Sequence, residues 1–182
     1  MQTPAISMIE AFQRYRDQWQ GEAAVITRFE IFLHTQAHAF ERSNRAGHFT
    51  GSAWLVSADG ARVLLMHHRK LGRWLQPGGH ADGDADLARV ALREAQEETG
   101  VRGPCVDSAI FDVDSHRISA RAGEPEHWHY DARYVVRAGT DESFVVNAES
   151  HALAWRSVAE VLNDESLDVS LRRMAGKWLA RV

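Results

Sequence analysis

Apolar residues recur at helical spacing twice near the start of the chain, at Ile6, Ile9, Phe12 and Trp19 and again at Val25, Phe29, Phe32 and Phe40. Gly21 falls between the two runs. This pattern predicts a hairpin of two helices packed on the segment that follows. From His48 onward the pattern changes: residues 52–57 and 62–67 form two strand-like runs around the turn Ala58-Asp59-Gly60. A loop with Pro77, Gly78 and Gly79 precedes a predicted helix over 86–99, stopped by Gly100. Strands are expected over 105–114 and 127–136, the second after a loop holding Gly123 and Pro125, with short strands at 144–146 and 153–155. Two helices, over 158–163 and 167–179, close the chain. No repeat or linker interrupts this order, so the expectation is one mixed α/β unit, with residues 1–45 as a helical extension on a core of 46–182.

Composition narrows the function classes. The 182 residues are 45% hydrophobic and 25% charged, as in ordinary globular proteins. A net charge of -4 offers no basic footprint, so a nucleic acid polymer is not an expected partner. Cys105 is the only cysteine, which excludes an internal disulfide and favours a reducing compartment. The start of the chain has no basic stretch followed by an apolar run, so no signal peptide is expected. The apolar segment 23–40 is broken by Arg28, Glu30, His34 and His38, which excludes a membrane span there and makes a cytoplasmic location the expectation.

The helix over 86–99 carries the chemistry. At about 100° per residue, Glu94, Glu97 and Glu98 share one arc, while Leu87, Ala91, Leu92 and Ala95 occupy a neighbouring arc that can face a core. Like charges at this spacing destabilise a helix by ~0.2–0.5 kcal/mol. A hard divalent cation would remove the repulsion, and carboxylate oxygens suit magnesium or manganese. Three glutamates alone would more readily describe a solvated acidic face, with Arg93 as a local counter-charge.

Their neighbours resemble the Nudix box. In that motif a glycine is followed after five residues by glutamate. Seven residues later come Arg-Glu, an aliphatic, any residue, Glu-Glu, any residue, glycine and an aliphatic. Gly79 takes the first place and Arg93-Glu94-Ala95-Gln96-Glu97-Glu98-Thr99-Gly100-Val101 the end, after the lead-in Trp74-Leu75-Gln76-Pro77-Gly78. The resemblance implies a Nudix α/β/α sandwich with a mixed sheet, here with the added N-terminal hairpin. It also implies a magnesium or manganese site on Glu94, Glu97 and Glu98, with the Gly78 carbonyl as a further ligand. The expected box glutamate is Ala85, a position that in the family helps to anchor the arginine corresponding to Arg93. Asp82, Asp84 and Asp86 lie near enough in sequence to take over. Glu149, shortly before Ala154-Trp155, is the candidate general base or extra metal ligand, by likeness to a glutamate the family often supplies from that region. Arg69 and Arg73 are candidate contacts to substrate phosphates.

Histidines form a second candidate site. His127 and His129 lie two apart in a predicted strand and so share a face, continued by Asp131. An isolated His-x-His is more often a plain polar strand face. His80, however, follows the double glycine, and His48 opens the first core strand. This set is similar to the metal site of isopentenyl diphosphate isomerases, with His127 and His129 where that branch has acids. Nitrogen donors of this kind suit a transition metal such as zinc. The isomerase chemistry itself lacks its cysteine: Gly78 stands there, and Cys105 lies beyond the helix.

The resulting expectation is metal-dependent hydrolysis of a diphosphate linkage in a nucleoside diphosphate derivative or similar small organic diphosphate. The alternatives are a non-catalytic Nudix domain that binds a nucleotide metabolite, or an isomerase-like enzyme using the histidine metal. Oligomeric state stays open, with a dimer as one option.

Overall fold

The computed structural model describes residues 4–121 and 123–181. Two helices come first, α1 (Pro4–Gln18) and α2 (Ala23–Thr35), with one 3-10 turn (Gln20–Glu22) between them. Then follow β1 (Gly47–Val56), β2 (Arg62–His68), β3 (Arg73–Leu75), β4 (Gly78–His80) and α3 (Leu87–Thr99). The chain continues through β5 (Cys105–Ile118), β6 (His127–Arg137), β7 (Ser150–Ser157), α4 (Val158–Asn163) and α5 (Val169–Leu179).

The strands form one mixed sheet of seven among the described residues, with the path β3-β2-β1-β6-β5. β1 and β6 run parallel, and β5 returns antiparallel to β6. β1 meets β2 only at Val56↔Val63, which leaves its earlier half to pair with β4 and the later half of β2 to pair with β3, while β7 runs along the other edge of β2. Each face of the sheet then needs a cover. Phe49, Ala53, Leu55 and Ala132 pack in one core with α1, α2 and the apolar arc of α3. Trp54, Val56, Val63, Phe111 and Val135 form a second core with α4 and α5. The result is the expected α/β sandwich with its N-terminal hairpin.

The hairpin is fastened by aromatic rings. Phe12 meets Phe29 edge-on at 5.7 Å, and Phe32 stacks on Tyr130 of β6 at 4.1 Å between centroids. Its buried face includes Met8, Tyr15 and Ile26 rather than Ile9 and Val25, while Trp19 and Phe40 lie just past the two helix ends. The side chain of Ile6 is outside the described ones.

Three expectations are corrected. Residues 144–146 are not a strand: the Val145 N–H bonds the Thr99 carbonyl at the end of α3, and Val145 is exposed. The loop around Pro77 and Gly78 contains two three-residue strands, β3 and β4. β1 begins at Gly47, five residues earlier than expected, because β6 supplies a partner for its whole length.

Candidate active site

α3 is a well-bounded helix. The Asp86 side chain accepts from the Arg89 N–H at its start, and Gly100, at φ 70, closes its end in the left-handed region where glycine is favoured. Leu87, Val90, Ala91 and Ala95 are buried, which turns Glu94 and Glu98 toward β4, while the backbone carbonyl of Glu97 accepts from Asn147 of the loop before β7. Glu97 is exposed, Glu94 is half-buried, and Glu98 is buried with 7% exposure. The Gly78 N–H donates to Glu98 Oε2 at 2.8 Å. Gly79 lies so close to Glu94 that a Cβ there would fall 2.5 Å from its carboxylate, so no other residue fits without moving this group.

Glu149 joins this group. The loop before β7 is drawn over α3 by Asn147, which donates to the Glu97 carbonyl, and Glu149 ends within hydrogen-bond reach of the Glu98 carboxyl. Burial, with Glu94 and Glu149 alongside, pushes the Glu98 carboxyl up to about 8 against the opposing Gly78 N–H. Burial likewise raises Glu94, with Arg93 acting the other way.

Arg93 is not anchored by an aspartate. Its guanidinium donates to Glu94 Oε1 at 2.9 Å and to the His80 carbonyl at 3.0 Å. Asp84 is instead bound by Arg89 through two bonds of 2.8 and 2.6 Å, and Asp86 caps the helix. The reason is reach: Arg89, in the first turn of α3, is the nearer cation to both. Arg69 donates to the Ser150 carbonyl and Arg73 meets Asp168 at 3.3 Å, each on an exposed side chain.

The four histidines are brought together. In the parallel pairing of β1 and β6, His48 lies beside His129, and in the β1–β4 pairing Thr50 lies beside His80. The ring centroids of His48 are 4.9 Å from His80, 5.0 Å from His127 and 4.7 Å from His129. Burial first, then the neighbouring imidazoles, lowers His48 to about 4 and His129 to about 2, so both rings are neutral at neutral pH. Asp131 continues this face and is bound by Thr50, Ser52 and Arg133.

The model of the NUDIX domain family matches residues 48–176. The chain belongs to the Nudix family. It is 32% identical over 115 residues to a curated Mycobacterium tuberculosis protein named "Putative 8-oxo-dGTP diphosphatase 3", a match covering 57% of this chain and 48% of that one. The chain thus spans about half the length of the curated relatives it matches. Among solved structures it resembles the NUDIX domain of Shewanella oneidensis NrtR in complex with ADP ribose, at TM-score 0.57 and 22% identity, covering 83% of this chain and 96% of that one. It also resembles a NUDIX-family hydrolase from Clostridium perfringens, at TM-score 0.56 and 25% identity, covering 76% and 98%.

For a Nudix domain the implied cofactor is a divalent cation, and the residues present fit one. Burial first, and then Glu94 and Glu149, favour the neutral form of Glu98, while Glu97 and Glu149 act the same way on Glu94; a dication held among these carboxylates would offset that mutual repulsion. Two residues at these sites escaped the sequence reading. Asn147 holds the Glu149 loop, and His116 of β5 pairs beside His129 with ring centroids 5.4 Å apart. His116 follows from the hairpin register once Arg121 and Glu124 are known to close the turn. Nothing in the sequence points to Asn147.

Proposed function

We propose that this Nudix domain hydrolyses a diphosphate linkage in a nucleoside diphosphate derivative or similar small organic diphosphate. The observation that carries this reading is the meeting of Glu98 and Glu149, from separate elements, beside Glu94 and Glu97. Magnesium or manganese would be held by Glu94, Glu97 and Glu98, with Glu149 and the Gly78 carbonyl as further donors. When bound, such an ion supplies charge stabilisation at the phosphate oxygens.

The chain's own groups do the rest. The Gly78 N–H holds Glu98 in place, and Gly79 leaves room for Glu94. Arg93 fixes the outer oxygen of Glu94 and ties it to the His80 backbone, so it positions rather than reacts. Glu149 reaches the carboxylate cluster from an exposed loop, where water has access, and takes a proton from the attacking water. Arg69, whose N–H bonds the Glu149 carbonyl, and the exposed Arg73 are the cations proposed to meet substrate phosphates. The names of the similar proteins point the same way: 8-oxo-dGTP and ADP ribose both contain a nucleoside joined to a diphosphate.

The deciding assay follows release of phosphate or nucleoside monophosphate over a panel including 8-oxo-dGTP and ADP ribose, with magnesium or manganese. Turnover of at least one compound, abolished by chelator, is expected. No turnover of any member with either metal would overturn the reading. With the best substrate, Glu149→Gln is expected to lower kcat by ~10²–10⁴-fold, the usual worth of a general base, with KM nearly unchanged. A rise in KM alone would instead assign Glu149 to binding.

A further inference from the structure

We propose that His48, His80, His127 and His129 hold one transition-metal ion of the zinc class, at a site separate from the carboxylates of α3. Sheet pairing alone brings these residues from three strands to one end of one face. One donor nitrogen from each of His48, His80 and His129 lies within 4.8 Å of the others. The proposal is independent of the hydrolase reading.

Two details point to an ion rather than to packed aromatic rings. His48 is buried to 1% exposure, yet among the described residues neither of its ring nitrogens has a hydrogen-bond partner; the Asn44 carbonyl is near enough only to favour its charged form. A buried polar group left unpaired costs ~1–3 kcal/mol and is rare in native structures. The second detail is the orientation of His127. Its Nδ1 lies 2.9 Å from the Pro125 carbonyl, which can only accept, so Nδ1 carries the proton and Nε2 presents a lone pair. A backbone carbonyl holding the far nitrogen is the usual arrangement for a metal-bound histidine. That Nε2 is 3.2 Å from Nε2 of His129. Two nitrogens bound tetrahedrally at ~2.0–2.1 Å from zinc are ~3.3 Å apart.

The chemistry of the donors selects the ion. Asp131, the carboxylate on the same face, is already bound by Thr50, Ser52 and Arg133, so the donor set is imidazole. Imidazole suits zinc, copper, nickel and iron rather than magnesium. A cleft of about 430 Å³ lined by Arg42, Asn44 and Pro125 reaches the site at His127.

The test is a titration of metal-stripped protein with zinc against a chromophoric chelator. Wild type is expected to bind one equivalent, with a higher Tm when loaded. The Glu98→Gln variant should bind equally, and excess magnesium should not displace the zinc. The His127→Ala, His129→Ala double variant should bind at least ~100-fold more weakly, since half the ligands are gone. If circular dichroism shows the double variant misfolded, His80→Ala, at a partly exposed position, should still weaken binding at least ~10-fold. No zinc uptake by wild type, uptake displaced by magnesium, or equal affinity in a folded histidine variant would each overturn the proposal.

Discussion

Replacing Glu98 by glutamine is expected to lower turnover on the best diphosphate substrate by ~10²–10³-fold, the size found when one stabilising group is lost from a reacting centre. At ~1.4 kcal/mol per tenfold in rate, that is ~3–4 kcal/mol of transition-state stabilisation. The amide keeps the shape of the carboxylate, and its oxygen can still accept the Gly78 N–H that Glu98 accepts at 2.8 Å. It cannot supply the negative charge that a dication and its bound diphosphate require. Burial already favours the neutral carboxyl of Glu98 in the absence of metal, so the neutral amide should leave the Tm nearly unchanged. The split between intact stability and lost kcat is the informative result. A variant within threefold of wild type at saturating magnesium would remove Glu98 from the metal site, and with it the main argument for hydrolysis at this helix.

The parts of this molecule legible from sequence are those set by local periodicity or by a motif. Asp86 and Gly100 bound α3 as their chemistry predicts, and the spacing of Glu94, Glu97 and Glu98 places them on one arc. Period-two alternation likewise puts His127 and His129 on one face. What sequence could not show is decided by partners far along the chain. The strands Arg73–Leu75 and Gly78–His80 are too short to have a period, and they exist because β2 and β1 present open edges to them. Residues 144–146 have the composition of a strand, but the end of α3 takes the Val145 N–H first. Arg93 turned to Glu94 and the His80 carbonyl because the nearby aspartates had closer donors. Nothing in the sequence marks Asp112 as buried; it is so because α1, α5 and β6 close around it.

That burial sets the largest expected effect on stability. Asp112 is fully buried and accepts from three cations: Arg133 at 3.1 Å, Arg173 at 3.0 and 2.7 Å, and Lys177 at 2.6 Å. Burial alone would raise its carboxyl, and Arg173, Arg133 and Lys177 outweigh that and hold it below the usual range. Lys177 in turn bonds Tyr15 of α1 and pairs with Glu22, so one carboxylate joins the N-terminal hairpin, the sheet and α5. In Asp112→Ala, Arg133 keeps Asp131 and Asp114, Arg173 keeps Asp114 and Lys177 keeps Glu22, but all three cations lose the one fully buried acceptor they share, and the N–H groups aimed at it are left without a partner. Breaking a buried ion pair from one side costs about 3–5 kcal/mol. For a chain of this size that corresponds to a fall in Tm of roughly 6–20 °C. Asp112→Asn should fall between wild type and alanine, since the amide oxygen can accept from one cation while its charge is lost. Denaturant midpoints or calorimetry on the three proteins measure the series. An Asp112→Ala midpoint within about 1 kcal/mol of wild type would mean that water replaces the carboxylate at little cost. The hairpin would then be held by the aromatic contacts of Phe12, Phe29 and Phe32 rather than by this charge network.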